Sequence, residues 1–170
     1  MKMKINPFKS SARYIAFTGI MLGIAIVLTT LESQLSAFLP LGVRLGLSNI
    51  VIMTTLLFIN APTAVIITIL KSIFVLLTRG VTAGIMSLSG GLAAFLITWL
   101  LFKKTKSSFI MVSVIGAIVH IIGQLCIASA LTGSFYTFFY APLLFITAIV
   151  SGICTGIVLK IVIKHLNNVY

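Results

Sequence analysis

Residues 109–131 read FIMVSVIGAIVHIIGQLCIASAL and contain no Lys, Arg, Asp or Glu. A helix needs about 20 predominantly apolar residues to cross the hydrocarbon core of a bilayer, and this run is long enough. It is continuous instead of alternating, so it does not fit a barrel strand, whose residues face lipid and lumen in turn. Working outward, five more apolar runs predict further spans, at Tyr14–Leu31, Leu45–Asn60, Thr63–Thr78, Gly84–Phe102 and Ala141–Ile163. The predicted connections are short and carry turn or basic residues: NAP at 60–62, RGVTAG at 79–84 and KKTKSS at 103–108. The expected fold is all-α, an integral membrane bundle of six transmembrane helices with both termini in the cytoplasm. One domain fills 1–170, with a basic cytoplasmic N-terminus over 1–13 and an outer loop over 32–44.

Composition agrees. The chain is 60% hydrophobic and 8% charged, with a mean hydropathy of +1.27. Soluble domains carry about 25% charged residues, so too little charge is present here for a water-facing shell. The formal net charge of +11 would suggest nucleic acid in a soluble protein. Here the basic residues lie between apolar runs, where they act as topology signals and meet lipid headgroups; no nucleic-acid partner is expected. Cys126 and Cys154 lie inside apolar runs and read as small core residues. The N-terminal MKMKINPFKSSAR resembles the start of a signal peptide but lacks a good cleavage site, so it is read as leading into a retained span.

Basic residues orient the bundle. Lys2, Lys4, Lys9 and Arg13, then Lys103, Lys104 and Lys106, then Lys160 and Lys164 all fall on one side of a six-span chain. That side is the cytoplasm, and the expected location is a bacterial cell membrane crossed several times. Arg44, Lys71 and Arg79 are left over, on the outer side or within the membrane.

Catalytic chemistry is poorly supplied. There is no GxxxxGK[ST] and hence no ATP site. The single acid, Glu32, cannot build a carboxylate cluster for Mg²⁺ or a carboxylate pair for glycoside hydrolysis. No enzyme activity, metal or cofactor is expected.

The polar residues within the spans point elsewhere. Lys71 sits mid-span, about 12 Å of helix from Arg79. Intramembrane charges are costly and face a cavity or a partner, although a snorkelling Lys is the plainer alternative. His120 and Gln124 share a helix face, and Asn49 lies in the outer part of its span. Each of these three could equally be interhelical hydrogen-bond glue. Together, Asn49, Lys71, Arg79, His120 and Gln124 suggest a pocket open to the outside and suited to an anionic ligand. Glu32 and Arg44 flank the outer connection as candidate loop or gate residues, with Glu32 pairing to Arg44, Arg79 or Lys71. Ala12 and Ala16, and Gly19 and Gly23, form small-xxx-small pairs in the first span. They serve either packing within the bundle or docking of another membrane protein. The glycines of SGG (89–91) and GICTG (152–156) read as internal packing.

LE at 31–32 with LGVRLGLSNI, SLSGGL, GAIVHIIGQL and APLLFITAIVSGICTGIVLK resemble the Gx transporter family, labelled heptaprenyl diphosphate synthase component I, over about Arg13 to Lys164. That family is grouped with the substrate-binding S components of energy-coupling factor (ECF) importers. The resemblance implies a six-helix subunit that binds a scarce nutrient from outside, with a membrane coupling protein and two ATP-binding cassette ATPases as partners. It also implies that Ala12 and Ala16 dock the coupling protein, although Ile20 breaks the next step of the pattern. The substrate expected is a small amphipathic anion such as an isoprenoid or quinone precursor. The alternatives are a non-catalytic membrane subunit supporting a prenyl diphosphate synthase, and a stand-alone proton-coupled transporter using Glu32 or His120.

Overall fold

The computed structural model describes residues 11–36, 46–104 and 107–169. The helices are α1 (Ser11–Ser36), α2 (Leu47–Phe58), α3 (Ala61–Arg79), α4 (Val81–Lys104), α5 (Phe109–Thr132) and α6 (Ala141–Val169), with a 3-10 turn, Phe135–Tyr140, between the last two. Five of these are long and apolar enough to cross a membrane, while α2 has 12 residues and is shorter.

Local signals set the breaks. The Asn60 side chain accepts the Thr63 N–H at 2.9 Å, and Pro62 stands in the first turn of α3, where a missing N–H costs nothing. The predicted RGVTAG connection is much shorter than expected. Gly80, at φ 88°, turns the chain by itself, and α4 begins at the next residue. Only glycine takes that conformation readily. α1 runs on past Glu32 to Ser36, so Glu32 is held on a helix and not in the connection that follows it.

Burial is inverted relative to a soluble protein. Leu77, Ile15, Ile146 and Ile161 are exposed, while Thr68, Lys71, Ser72, Ser87, His120 and Gln124 are buried. Apolar side chains outside and polar ones inside need a lipid solvent, and the chain is a multi-pass helical membrane protein. Cys126 and Cys154 depart from expectation: both are free but exposed on α5 and α6. Lipid is as apolar as a core, so an apolar neighbourhood does not tell the two faces apart.

The helices approach closely where glycine allows it. A Cβ added at Gly84 would lie 2.5 Å from Leu76 Cβ, one at Gly152 would lie 2.7 Å from Val114 Cα, and one at Gly156 would lie 2.6 Å from Ile110 Cα. The glycine-rich segments are therefore internal packing, as their sequence suggested. At the Lys103 end, Leu56, Phe58, Ile59, Phe102, Val112 and Leu159 form an apolar cluster that closes the bundle. Lys103 Nζ sits 5.2 Å from the Trp99 ring centroid there, an arrangement suited to a membrane interface.

Candidate functional site

Five helices converge on a polar chamber at the Glu32 end. Lys71, Val75 and Arg79 occupy one face of α3 at successive four-residue steps, with Lys71 and Val75 buried and Arg79 half-buried. α1 supplies Thr29 and Glu32, α2 supplies Ser48 and Asn49 behind Gly46, α4 supplies Ser87 and α5 supplies His120. The chamber is open at its mouth, and its interior has room for about one water-sized molecule.

Its polar groups are tied to the scaffold. The Gly46 N–H donates to Glu32 Oε1 at 2.7 Å. Gly46 has φ 64° and caps α2 without a side chain, so the carboxylate meets the positive end of that helix. Lys71 Nζ donates to Ser48 Oγ at 3.1 Å, and Arg79 Nη2 donates to the Thr29 carbonyl. Both cations thus cross between helices: Lys71 from α3 to α2, Arg79 from α3 to α1. Lys71 is 3% exposed. That depth, combined with a partner on α2, distinguishes it from a Lys extended along the outside of the bundle.

His120 Nε2 and Gln124 Nε2 lie 2.8 Å apart; with the amide donating, the imidazole carries its proton on Nδ1. Gly90 makes room for the pair, since a Cβ there would lie 2.8 Å from the His120 carbonyl oxygen and 2.9 Å from Gln124 Cγ.

Of the residues singled out in the sequence, Asn49, Lys71, Arg79, His120 and Glu32 line one chamber. Gln124 stands behind His120 instead of lining it, and Arg44 lies outside the described residues. Sequence reading missed Thr29, Ser48 and Ser87. Serine and threonine are ordinary in membrane helices, and nothing local marks these three; a helical wheel aligned on Lys71 and Glu32 would have been needed.

A second cavity, mainly apolar, adjoins the first and shares Gly46 and Asn49 with it. It lies among α2, α4, α5 and α6, and its interior has room for about one water-sized molecule. Ile52, Met53, Leu56 and Phe95 give it apolar walls, while Gly91, Ala94, Gly116 and Ala117 leave the space unfilled. Three of its hydroxyls are engaged by the protein: Ser151 donates to the Ala148 carbonyl, Thr155 to the Gly152 carbonyl and Ser113 to Met53 Sδ.

The small-residue stripe of α1 faces outward. Ala12, Ala16, Gly19 and Gly23 are exposed, and a Cβ added at Gly19 or Gly23 meets no atom within 4 Å. Among the described residues, α1 packs only against α2 and α3. The stripe does not serve packing within the bundle.

The profile of the family described as heptaprenyl diphosphate synthase component I matches residues 21–162. The chain belongs to that family. The match takes in α2 to α5 whole, and with them every residue of both cavities; Ala12, Ala16 and Gly19 precede it. No curated protein and no solved structure matches the chain. As a heptaprenyl diphosphate synthase component I family member, it contains one acidic residue in all, and among its described residues no three His, Cys, Asp or Glu side chains gather where a metal could be held.

Proposed function

We propose that this chain is the substrate-binding and translocation subunit of an ECF-type importer in a bacterial cell membrane, with six spans, both termini in the cytoplasm, and a small anionic amphipathic nutrient as its cargo. The observation that carries the reading is the buried, mouth-bearing chamber in which Lys71 and Arg79 are held by partners on other helices. Structural glue alone does not need an open volume between its polar groups. In this reading Lys71 balances the charge of the ligand, Arg79 captures it nearer the mouth, and Ser48, Asn49, Ser87 and His120 orient it. Glu32 holds the chamber wall through Gly46, acting from α1 itself, and Arg44 is proposed as a gate residue.

The chain has no ATP-binding motif, so energy must come from elsewhere. The outward stripe Ala12, Ala16, Gly19 and Gly23 suits close approach by a helix of another membrane protein. It would receive the coupling protein, which works with two ATPases.

The family description favours a second reading, in which the chain is a non-catalytic membrane subunit supporting a heptaprenyl diphosphate synthase. Affinity purification from its native membrane decides between them. A coupling protein with two ATPases is expected; a soluble prenyl synthase in their place overturns the importer reading in favour of the second. Recovery of neither supports a stand-alone transporter.

A further inference from the structure

The connection between α5 and α6 exposes aromatic rings where a water-facing loop would carry polar side chains. We propose that this turn, Phe135–Tyr140, is a membrane-interface anchor, its rings seated in the glycerol and headgroup region of the phospholipid leaflet at the chamber end of the bundle. This role does not depend on what the chamber binds.

The turn reads FYTFFY, and none of its residues is buried. Phe135, Phe139 and Tyr136 are 84%, 78% and 76% exposed. In water, a contiguous patch of this kind would be a site of adhesion. A 3-10 turn repeats every three residues, so the rings fall into rows. Phe135 pairs with Phe138, centroids 6.4 Å apart, and Tyr136 stacks on Phe139 at 5.8 Å. The backbone beneath the rings is satisfied from within. Ser134 Oγ accepts the Tyr136 N–H at 3.2 Å. The hydroxyls of Ser129 and Thr137 each donate to the Ser134 carbonyl at 3.1 Å. Gly133, at φ 62°, ends α5 and donates its N–H to the Ser129 carbonyl. A turn whose polar groups are tied up internally tolerates a zone poor in bulk water. Tyr136 and Tyr140 add a polar tip to an apolar ring, the combination enriched at headgroup level.

Position selects lipid as the occupant. The exposed rings continue into exposed Leu131 on α5 and exposed Leu143 and Ile146 on α6, side chains that face lipid. The patch is therefore the rim of the lipid-facing wall. α5 has 24 residues, about 36 Å of helix against a hydrocarbon layer of about 30 Å. A helix that starts at one boundary thus ends just beyond the other, which brings the turn to the headgroups. Trp99 with Lys103 marks the boundary at the opposite end. Anchoring at both ends fixes the depth of the chamber: from Thr132 back to His120 is about 18 Å of helix, which sets His120 close to the bilayer midplane.

The test places a tryptophan in the turn of the full chain, reconstituted in phosphatidylcholine vesicles, with Trp99, the chain's one tryptophan, replaced by Phe. Fluorescence of Phe139→Trp should be quenched at least twofold more by lipid brominated near the glycerol end of its acyl chains than by lipid brominated near the methyl end. Ile149→Trp, at an exposed position on α6 about 14 Å deeper than Tyr140, should show the reverse order and checks the depth scale. Tyr136→Trp, in the other ring row, should repeat the Phe139→Trp result and serves if that variant fails to fold. Quenching by aqueous iodide but by neither lipid would make the turn a water-exposed loop. Quenching by neither iodide nor lipid would mean that protein covers it, a second copy or a partner. Stronger quenching from the methyl end would put the rings deep among the acyl chains. Each of these three results overturns the proposal.

Discussion

Lys71 reaches from the third helix to Ser48, the second residue of α2, with Nζ 3.1 Å from Oγ. A charged group 3% exposed thereby touches the start of a helix whose next residue, Asn49, lines both the chamber and the apolar cavity.

Removing the deeper charge should therefore cost more than removing the shallower one. Lys71→Met is expected to weaken binding of an anionic ligand such as octanoate by at least tenfold, and Arg79→Met by only a few-fold. Both should leave the detergent-solubilised melting temperature within a few degrees of the parent. Equal affinities for Lys71→Met and the parent protein would make the lysine a structural group.

If the chamber binds ligand as proposed, Glu32 is expected to act on release more than on capture. Glu32→Gln keeps the size of the side chain but replaces a charge-assisted bond to Gly46 with a neutral one, a loss of about 1 kcal/mol. Dissociation of bound ligand should quicken about fivefold with the association rate unchanged. Stopped-flow measurement of both rates separates this from an effect of the lost negative charge, which would speed association of an anion.

On α1 and α6, glycines should respond in opposite ways. Gly152→Ala puts a methyl 2.7 Å from Val114 Cα, a backbone atom that cannot swing aside; a loss of about 1–3 kcal/mol is expected. Gly23→Ala meets nothing and should leave thermal stability unchanged. Thermal unfolding in one detergent compares them directly.

Assembly should depend on the outward stripe. Ala12→Leu with Ala16→Leu is expected to abolish recovery of the coupling protein while ligand binding persists, because bulky side chains separate helix backbones. Normal recovery by the double variant would remove the stripe from the interface.

Topology can be read by external labelling. After replacement of the free Cys126 and Cys154, a cysteine at Thr82 should react with a membrane-impermeant maleimide and one at Lys104 should not. Labelling at position 104 from outside would invert the orientation.

The long spans were legible because continuous apolar runs announce helices by length alone, as in 109–131. The polar chamber was partly legible, since Lys71, Arg79 and Glu32 are costly in lipid and stand out against an apolar sequence. Ser48 and Ser87 were not, because a lone hydroxyl in a span bonds its own helix as readily as a ligand. The apolar cavity left no trace in sequence: it is formed by missing volume at Gly91, Ala94, Gly116 and Ala117, contributed by helices far apart in the chain. Which face of a helix points inward was also hidden, as Cys126 and Cys154 illustrate. These helices are apolar nearly all round and carry little periodic signal.

The shortness of α2 has a consequence for bilayer thickness. Its 12 residues span about 18 Å, against a hydrocarbon layer of about 30 Å. Nine of them are buried, so neighbouring helices and not lipid chains surround it, and hydrophobic mismatch with the membrane does not constrain it. At least one end must then stop below the headgroups, where backbone amides have no bulk water to satisfy them. At its N-terminal end the Gly46 N–H is satisfied by Glu32 Oε1. The chain's one acidic residue thus caps the start of its shortest membrane helix.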